Sequence, residues 1–180
     1  MLIKLFNFKK EINNLYFDSN SIVYDVLRML SKDYSGNDDK FEDELILGVC
    51  KQLDAYIDEI KPNNQVYIAF DGVAPVAKLN QQKNRRYKSW FINNYESNDN
   101  KKWDSTAITP GTEFMNKLNL QIKYHFRSSI PYKVNKIIVS GSDEPGEGEH
   151  KIFEYIRDNS TKILNDKTVI YGLDLSLIHI

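Results

Sequence analysis

The chain has 180 residues, 41% apolar and 12% aromatic, enough for one domain with a sizeable core and too apolar for disorder. Lysine and arginine number 24 against 25 aspartates and glutamates, a formal net charge of −1, so nucleic-acid contact has to come from a local patch, not from an overall field. The single cysteine, Cys50, excludes an internal disulfide framework. With no apolar run near the roughly 18 residues of a membrane span and no secretory start in MLIKLFNFKKEI, the expectation is a soluble intracellular protein.

Residues 14–18 (NLYFD) read as a short buried parallel strand ending in an acid. Residues 19–30 follow as a helix, with Ile22, Val26 and Leu30 at helical spacing, and residues 31–40 as a polar loop. Residues 41–60 give the clearest helix, striped by Leu45, Val49, Leu53, Tyr56 and Ile60, with Cys50 as core and Pro62 as the stop. Residues 66–71 form the next strand, and a Gly-Val-Ala-Pro turn leads into a basic, amide-rich helix over residues 75–91. Within it Lys78, Gln82, Arg85 and Arg86 fall at i, i+4, i+7 and i+8, so one face carries three cations and an amide. Residues 93–106 are a polar excursion anchored by Trp103. Thr109-Pro110 is an N-cap and first-turn signature for a helix through Phe114, Leu118 and Ile122. Residues 136–140 (KIIVS) are a third strand, 141–148 a glycine-punctuated loop, 151–157 a helix and 168–172 a fourth strand.

This alternation predicts a three-layer α/β fold, Rossmann-like, with a mainly parallel sheet. In such sheets the functional crevice lies at the carboxyl ends of the strands. Three predicted strands end in an acid, Asp18, Asp71 and Asp174, and the remaining one leads to Glu147 and Glu149. Crowded carboxylates repel, so one takes up a proton or the site holds a cation. Hard divalent ions accept all-oxygen shells, and two of them about 3.5–4 Å apart can activate water and stabilise the leaving oxygen of a phosphodiester. The five acids are therefore candidate catalytic residues and ligands of Mg²⁺, with Mn²⁺ as a substitute. Each also has a plain structural reading: Asp18 as a helix cap, Asp71 as the shaper of the Gly72 turn, Glu147 and Glu149 as complements of a helix N-terminus. His150 is read as a supporting histidine rather than a base.

The strings AFDGVAPVAKLNQQKNRR, ITPGTEF, VSGSDEPGEGEHKI and IYGLD resemble, in the same order, the N-terminal catalytic region of the XRN 5′→3′ exoribonucleases. LYFDSNSIVYDVL fits that family's first acid-bearing strand. The resemblance implies a PIN- or flap-nuclease-like version of the α/β fold and covers only the first part of the family's catalytic region. It implies that Asp18, Asp71, Glu147, Glu149 and Asp174 bind Mg²⁺, and that Lys78, Gln82, Arg85 and Arg86 grip the substrate's 5′-monophosphate. Tyr24 stands where the family often has a histidine that stacks on a terminal base, and an aromatic ring there can also stack; core packing is its plain alternative.

Two departures matter. The family usually opens Met-Gly-Val-Pro, whereas this chain opens MLIKLFNFKKEINN. The family reads Gly-Leu-Asp-Ala-Asp after its strand, whereas this chain reads Gly172-Leu173-Asp174-Leu175-Ser176, so a hydroxyl replaces the second acid. The last six residues, LSLIHI, match one translated frame of a transposon-end adaptor used in sequencing libraries. The expectation is a partial nuclease domain over residues 1–174 and a non-native tail over 175–180. The expected activity is Mg²⁺-dependent 5′→3′ hydrolysis of 5′-monophosphorylated single-stranded RNA to mononucleotides, in cytoplasm or nucleus. The rivals are an inactive RNA-binding module and a structure-specific 5′ DNA nuclease.

Overall fold

Four short strands with few charged side chains form one sheet: β1 (Asn14–Asp18), β2 (Gln65–Ala69), β3 (Lys136–Ser140) and β4 (Thr168–Tyr171). Every pairing is parallel and the order is β3-β2-β1-β4. This computed structural model describes residues 11–74, 78, 80, 83, 84, 87, 88, 91 and 102–172. Gln82, Arg85, Arg86, Asp174 and the 175–180 tail therefore lie outside the described residues. The sheet grows outward from β1 to β2 and β3, then returns to the far side of β1 with β4. The strand order thus reverses at β1, and parallel α/β sheets place their binding crevice at such a reversal.

Strand side chains alternate between faces, and the two faces are covered differently. Leu15, Phe17, Val66, Ile68 and Phe70 point into the larger core. There they meet Ile22, Val23 and Val26 of α1 (Asn20–Leu30), the inner stripe of α2 (Asp38–Ile60), and Phe114, Met115, Leu118 and Ile122 of α3 (Glu113–His125). Tyr16, Tyr67 and Ala69 point the other way, onto Ile152 and Tyr155 of α4 (Gly148–Asp158). A one-turn helix, α5 (Ser160–Ile163), completes the crossover to β4. Helix, sheet and helix make three layers, as the alternation predicts. Fully buried Phe17, Phe70 and Leu53 each contribute about 1.5–3 kcal/mol by leaving water.

Cys50 is buried and unoxidised in α2, as expected of a core cysteine. Trp103 packs against Phe114 edge-on at 5.1 Å and against Phe41 at 5.6 Å, so it does anchor its segment. Pro62 follows a left-handed Lys61, whose amide donates to Ile57 O at 2.8 Å and closes α2. Several boundaries differ from the sequence reading: β2 ends at Ala69, where its ladder with β1 and β3 stops, so Asp71 lies beyond the strand and not at its end, and three helix starts move. Helix α2 starts at Asp38, because Asn37 caps the Lys40 amide and the two acids favour the first turn. Helix α3 is capped by Thr112, whose hydroxyl accepts from Met115 N, and not by Thr109. Helix α4 starts at Gly148, which moves Glu149 from a loop into its first turn. Among the described residues no helix is long and apolar enough to cross a membrane.

Candidate active site

The strand register sets one edge. Asp18 pairs with Ala69 and Ala69 with Ser140, so the carboxyl ends of β1, β2 and β3 finish level. Asp71 follows two residues beyond Ala69, and the segment 141–147 leaves β3 at the same edge. That segment returns across β2: Gly72 N donates to Gly146 O at 2.8 Å and Gly146 N to Val73 O at 3.2 Å. The approach is so close that a Cβ on Gly72 would stand 1.7 Å from Glu144 O, and Gly146 takes a left-handed φ of 98°. Asn119 of α3 braces the segment from outside, donating to Ser142 Oγ at 2.8 Å and accepting from Ser142 N at 3.0 Å.

Helix α4 opens directly under Asp18 and Asp71. Gly148 N donates to Asp71 Oδ1 at 2.7 Å, and Asn20 Nδ2 donates to Asp71 Oδ2 at 2.7 Å while Asn20 Oδ1 accepts from Asp71 N. Asp71 is thus held on both carboxylate oxygens. Its carboxyl is still pushed up, first by burial, against the lowering effect of the Gly148 amide. Asp18 has less help. Its Oδ1 is buried without a hydrogen-bond partner, and Glu149 Oε1 is orphaned in the same way. Burial, then the charges of Asp71 and Glu149, push the Asp18 carboxyl up to about 7. Gly148 makes room for it, since a Cβ there would stand 2.6 Å from Asp18 Oδ1.

The structure therefore brings Asp18, Asp71, Glu147 and Glu149 to one sheet edge, with divided states. Glu147 precedes α4 and pairs with Lys78 Nζ at 2.6 Å, while His150 Nδ1 stands 3.4 Å from the same Glu147 oxygen. Lys78 reaches the edge from the basic stretch, whose described residues Lys78, Asn80, Lys83, Asn84, Tyr87, Lys88 and Phe91 are helical. Tyr24 on α1 is 43% exposed, so it is not core. Among the described residues, no three His, Cys, Asp or Glu side chains already stand as a metal cage. The orphaned oxygens of Asp18 and Glu149 nevertheless fit a cation, which would satisfy both and relieve the repulsion that raises Asp18.

Two further groups were not read from the sequence. Asn20 is masked as an ordinary helix-start residue, and only the β1–β2 pairing brings it to Asp71. Lys151, 6% exposed, donates to Phe70 O at 2.9 Å and Gly141 O at 2.7 Å, and burial holds its ammonium below the usual lysine range. A buried ammonium costs several kcal/mol unless paired. In the GEGEHK string it reads as one more charge beside Glu147 and Glu149.

Comparison with known proteins agrees with this architecture. Residues 3–180 match the family described as XRN 5'-3' exonuclease N-terminus. The chain is similar to 5'-3' exoribonuclease 1 of Saccharomyces cerevisiae, 40% identical over 93% of this chain and 12% of that protein. It is similar to 5'-3' exoribonuclease 2 of Emericella nidulans, 35% identical over 94% of this chain and 19% of that protein. It is also similar to 5'-3' exoribonuclease 1 of Schizosaccharomyces pombe, 34% identical over 93% of this chain and 14% of that protein. The chain thus spans between 12% and 19% of the length of these relatives. The parallel sheet, the acids on its carboxyl edge and the match over residues 3–180 together make the chain a member of the XRN 5'-3' exonuclease N-terminal family.

Proposed function

We propose that the chain carries acidic and 5′-end-binding parts of a 5′→3′ exoribonuclease that hydrolyses single-stranded RNA bearing a 5′-monophosphate. The observation that carries this reading is the pair of orphaned, buried carboxylate oxygens, Asp18 Oδ1 and Glu149 Oε1, beside the anchored Asp71. Asp18, Glu149 and Asp71, with Glu147 and Asp174, would hold Mg²⁺, or Mn²⁺ in its place. When bound, such ions lower the pKa of water and stabilise a leaving oxygen. The exoribonuclease names of the relatives support RNA as the substrate; the compartment proposed for this activity is cytoplasm or nucleus.

The chain's own residues supply the rest. Asn20 and the Gly148 amide keep Asp71 in one rotamer, so its carboxylate needs no reorganisation during the reaction. Lys78, with Gln82, Arg85 and Arg86 from the same basic stretch, would take the terminal phosphate. Arginine offers a fork matched to phosphate and lysine a point charge. Lys78 is 2.6 Å from Glu147, so the phosphate grip and the acids adjoin. That proximity sets a short distance between the bound 5′ end and the bond to be cut. Tyr24, exposed on α1, would stack on a terminal base. The test is Asp71→Ala with 5′-phosphorylated single-stranded RNA and DNA. Loss of RNA cleavage with RNA binding retained supports the reading. Undiminished cleavage refutes it, and preferred cleavage of DNA favours a structure-specific DNA nuclease.

A further inference from the structure

Strands β2 and β3 part just beyond their last paired residues. Phe70 N still donates to Ser140 O at 2.9 Å, but the next carbonyls no longer face a strand partner: Gly141 O accepts from Glu144 N of its own turn at 3.2 Å, and no backbone amide among the described residues is bonded to Phe70 O. Both point at Lys151 Nζ, at 2.9 and 2.7 Å. The Lys151 stem runs beneath the returning segment, since a Cβ on Gly146 would lie 3.7 Å from Lys151 Cγ. Phe70 is joined to Asp71 by one peptide bond, and Gly141 opens the segment that ends at Glu147. A single ammonium therefore ties the roots of both acid-bearing segments. The inward face of α4 is otherwise apolar, with Ile152 and Tyr155, so packing alone would favour a hydrocarbon at this place.

We propose that Lys151 is a positioning residue: its buried ammonium fastens the carbonyls of Phe70 and Gly141 and so holds Asp71 and the Glu147–Glu149 turn in the mutual placement that the carboxylate site uses. This rests on reading that site as cation-binding. Lys151 touches neither substrate nor cation in this scheme. It acts through the backbone, and Asn119 braces the same segment from the opposite side.

The test compares the 180-residue chain with Lys151→Met and Lys151→Arg. Amide hydrogen exchange is followed at Gly72, Gly146 and Gly148, and Mn²⁺ binding by electron paramagnetic resonance. For Lys151→Met we expect exchange at those three amides to quicken at least tenfold relative to β1 amides, and Mn²⁺ affinity to fall at least tenfold. Lys151→Arg, which keeps the charge and the donors, recovers Mn²⁺ affinity to within about threefold of wild type. A folded Met variant with wild-type Mn²⁺ affinity overturns the proposal. If the Met variant does not fold, the Arg variant decides, and a folded Arg chain that loses Mn²⁺ as fully as Asp18→Asn overturns it. Wild type that takes up no Mn²⁺ overturns the cation reading itself, and is told apart because it shows before any substitution is made.

Discussion

Asp18→Asn should stabilise the cation-free fold at alkaline pH. The Asp18 carboxyl rises from an ordinary 3.8 to about 7 in the fold, first through burial and then through Asp71 and Glu149. The folded state keeps a proton that the unfolded chain releases. The group's contribution to stability is therefore greatest below pH 3.8, declines as pH rises from there to about 7, and is lowest above that. Roughly three pH units at about 1.36 kcal/mol each give about 4 kcal/mol lost at pH 8. Asparagine removes the charge and can keep the Asn20 backbone hydrogen bond, but it leaves one buried polar atom unsatisfied, which returns about 1–3 kcal/mol. The net gain is about 1–3 kcal/mol, or about 3–9 °C in Tm for a chain of this size. Circular-dichroism melts in EDTA at pH 8 should show that gain, and melts at pH 4.5 should show little or none. Added Mg²⁺ should raise the wild-type Tm and leave Asp18→Asn unmoved. An Asn variant no more stable than wild type at pH 8, or equally favoured at both pH values, would show that burial does not hold the Asp18 carboxyl protonated.

Gly148→Ala separates the site from the fold. The new methyl would sit 2.6 Å from Asp18 Oδ1, so the carboxylate must move about 0.8 Å to reach ordinary contact. Alanine is no worse than glycine in a helix, so Tm should hold within about 2 °C while RNA cleavage falls at least tenfold. Gly72→Ala should do the reverse of sparing the fold. Its Cβ meets the backbone Glu144 O at 1.7 Å and forces apart the Gly72–Gly146 and Gly146–Val73 hydrogen bonds. The expected loss is about 2–4 kcal/mol, read as a lower midpoint in urea. Lys78→Met breaks a half-exposed ion pair with Glu147, so stability should change by less than about 1 kcal/mol. In a kinetic comparison, its decay of 5′-monophosphorylated RNA should slow toward that of 5′-hydroxyl RNA.

The architecture was legible where one physical rule dominated. NLYFD and KIIVS are too short for helices and too apolar for loops, and both are strands at the expected residues. The Leu45, Val49 and Leu53 stripe of α2 needed only helical periodicity. The start of α4 was hidden because Glu-Gly-Glu lacks helix-forming character. It is helical because Gly148 supplies an amide to Asp71 and leaves space for Asp18, which is a tertiary demand. Thr109-Pro110 carries the stronger local cap signal, yet Thr112 caps α3 through its own hydroxyl. The acids at 18, 71, 147 and 149 were legible because parallel strands end on one edge. Their states were not, since Asn20, Lys78 and Lys151 lie 51, 69 and 81 residues from Asp71, Glu147 and Phe70, the groups they hold across strands that only the fold aligns.

The strand-end carboxylates are expected to take a divalent cation. Electron paramagnetic resonance of Mn²⁺ titrated into the 180-residue chain at pH 8 reads that binding without any substrate. Bound Mn²⁺ in wild type, lost in Asp18→Asn and in Glu149→Gln but kept in Asp54→Asn, whose carboxylate is taken by His125 and Tyr132, is the predicted result. Equal Mn²⁺ uptake by all four chains, or none by wild type, would contradict it.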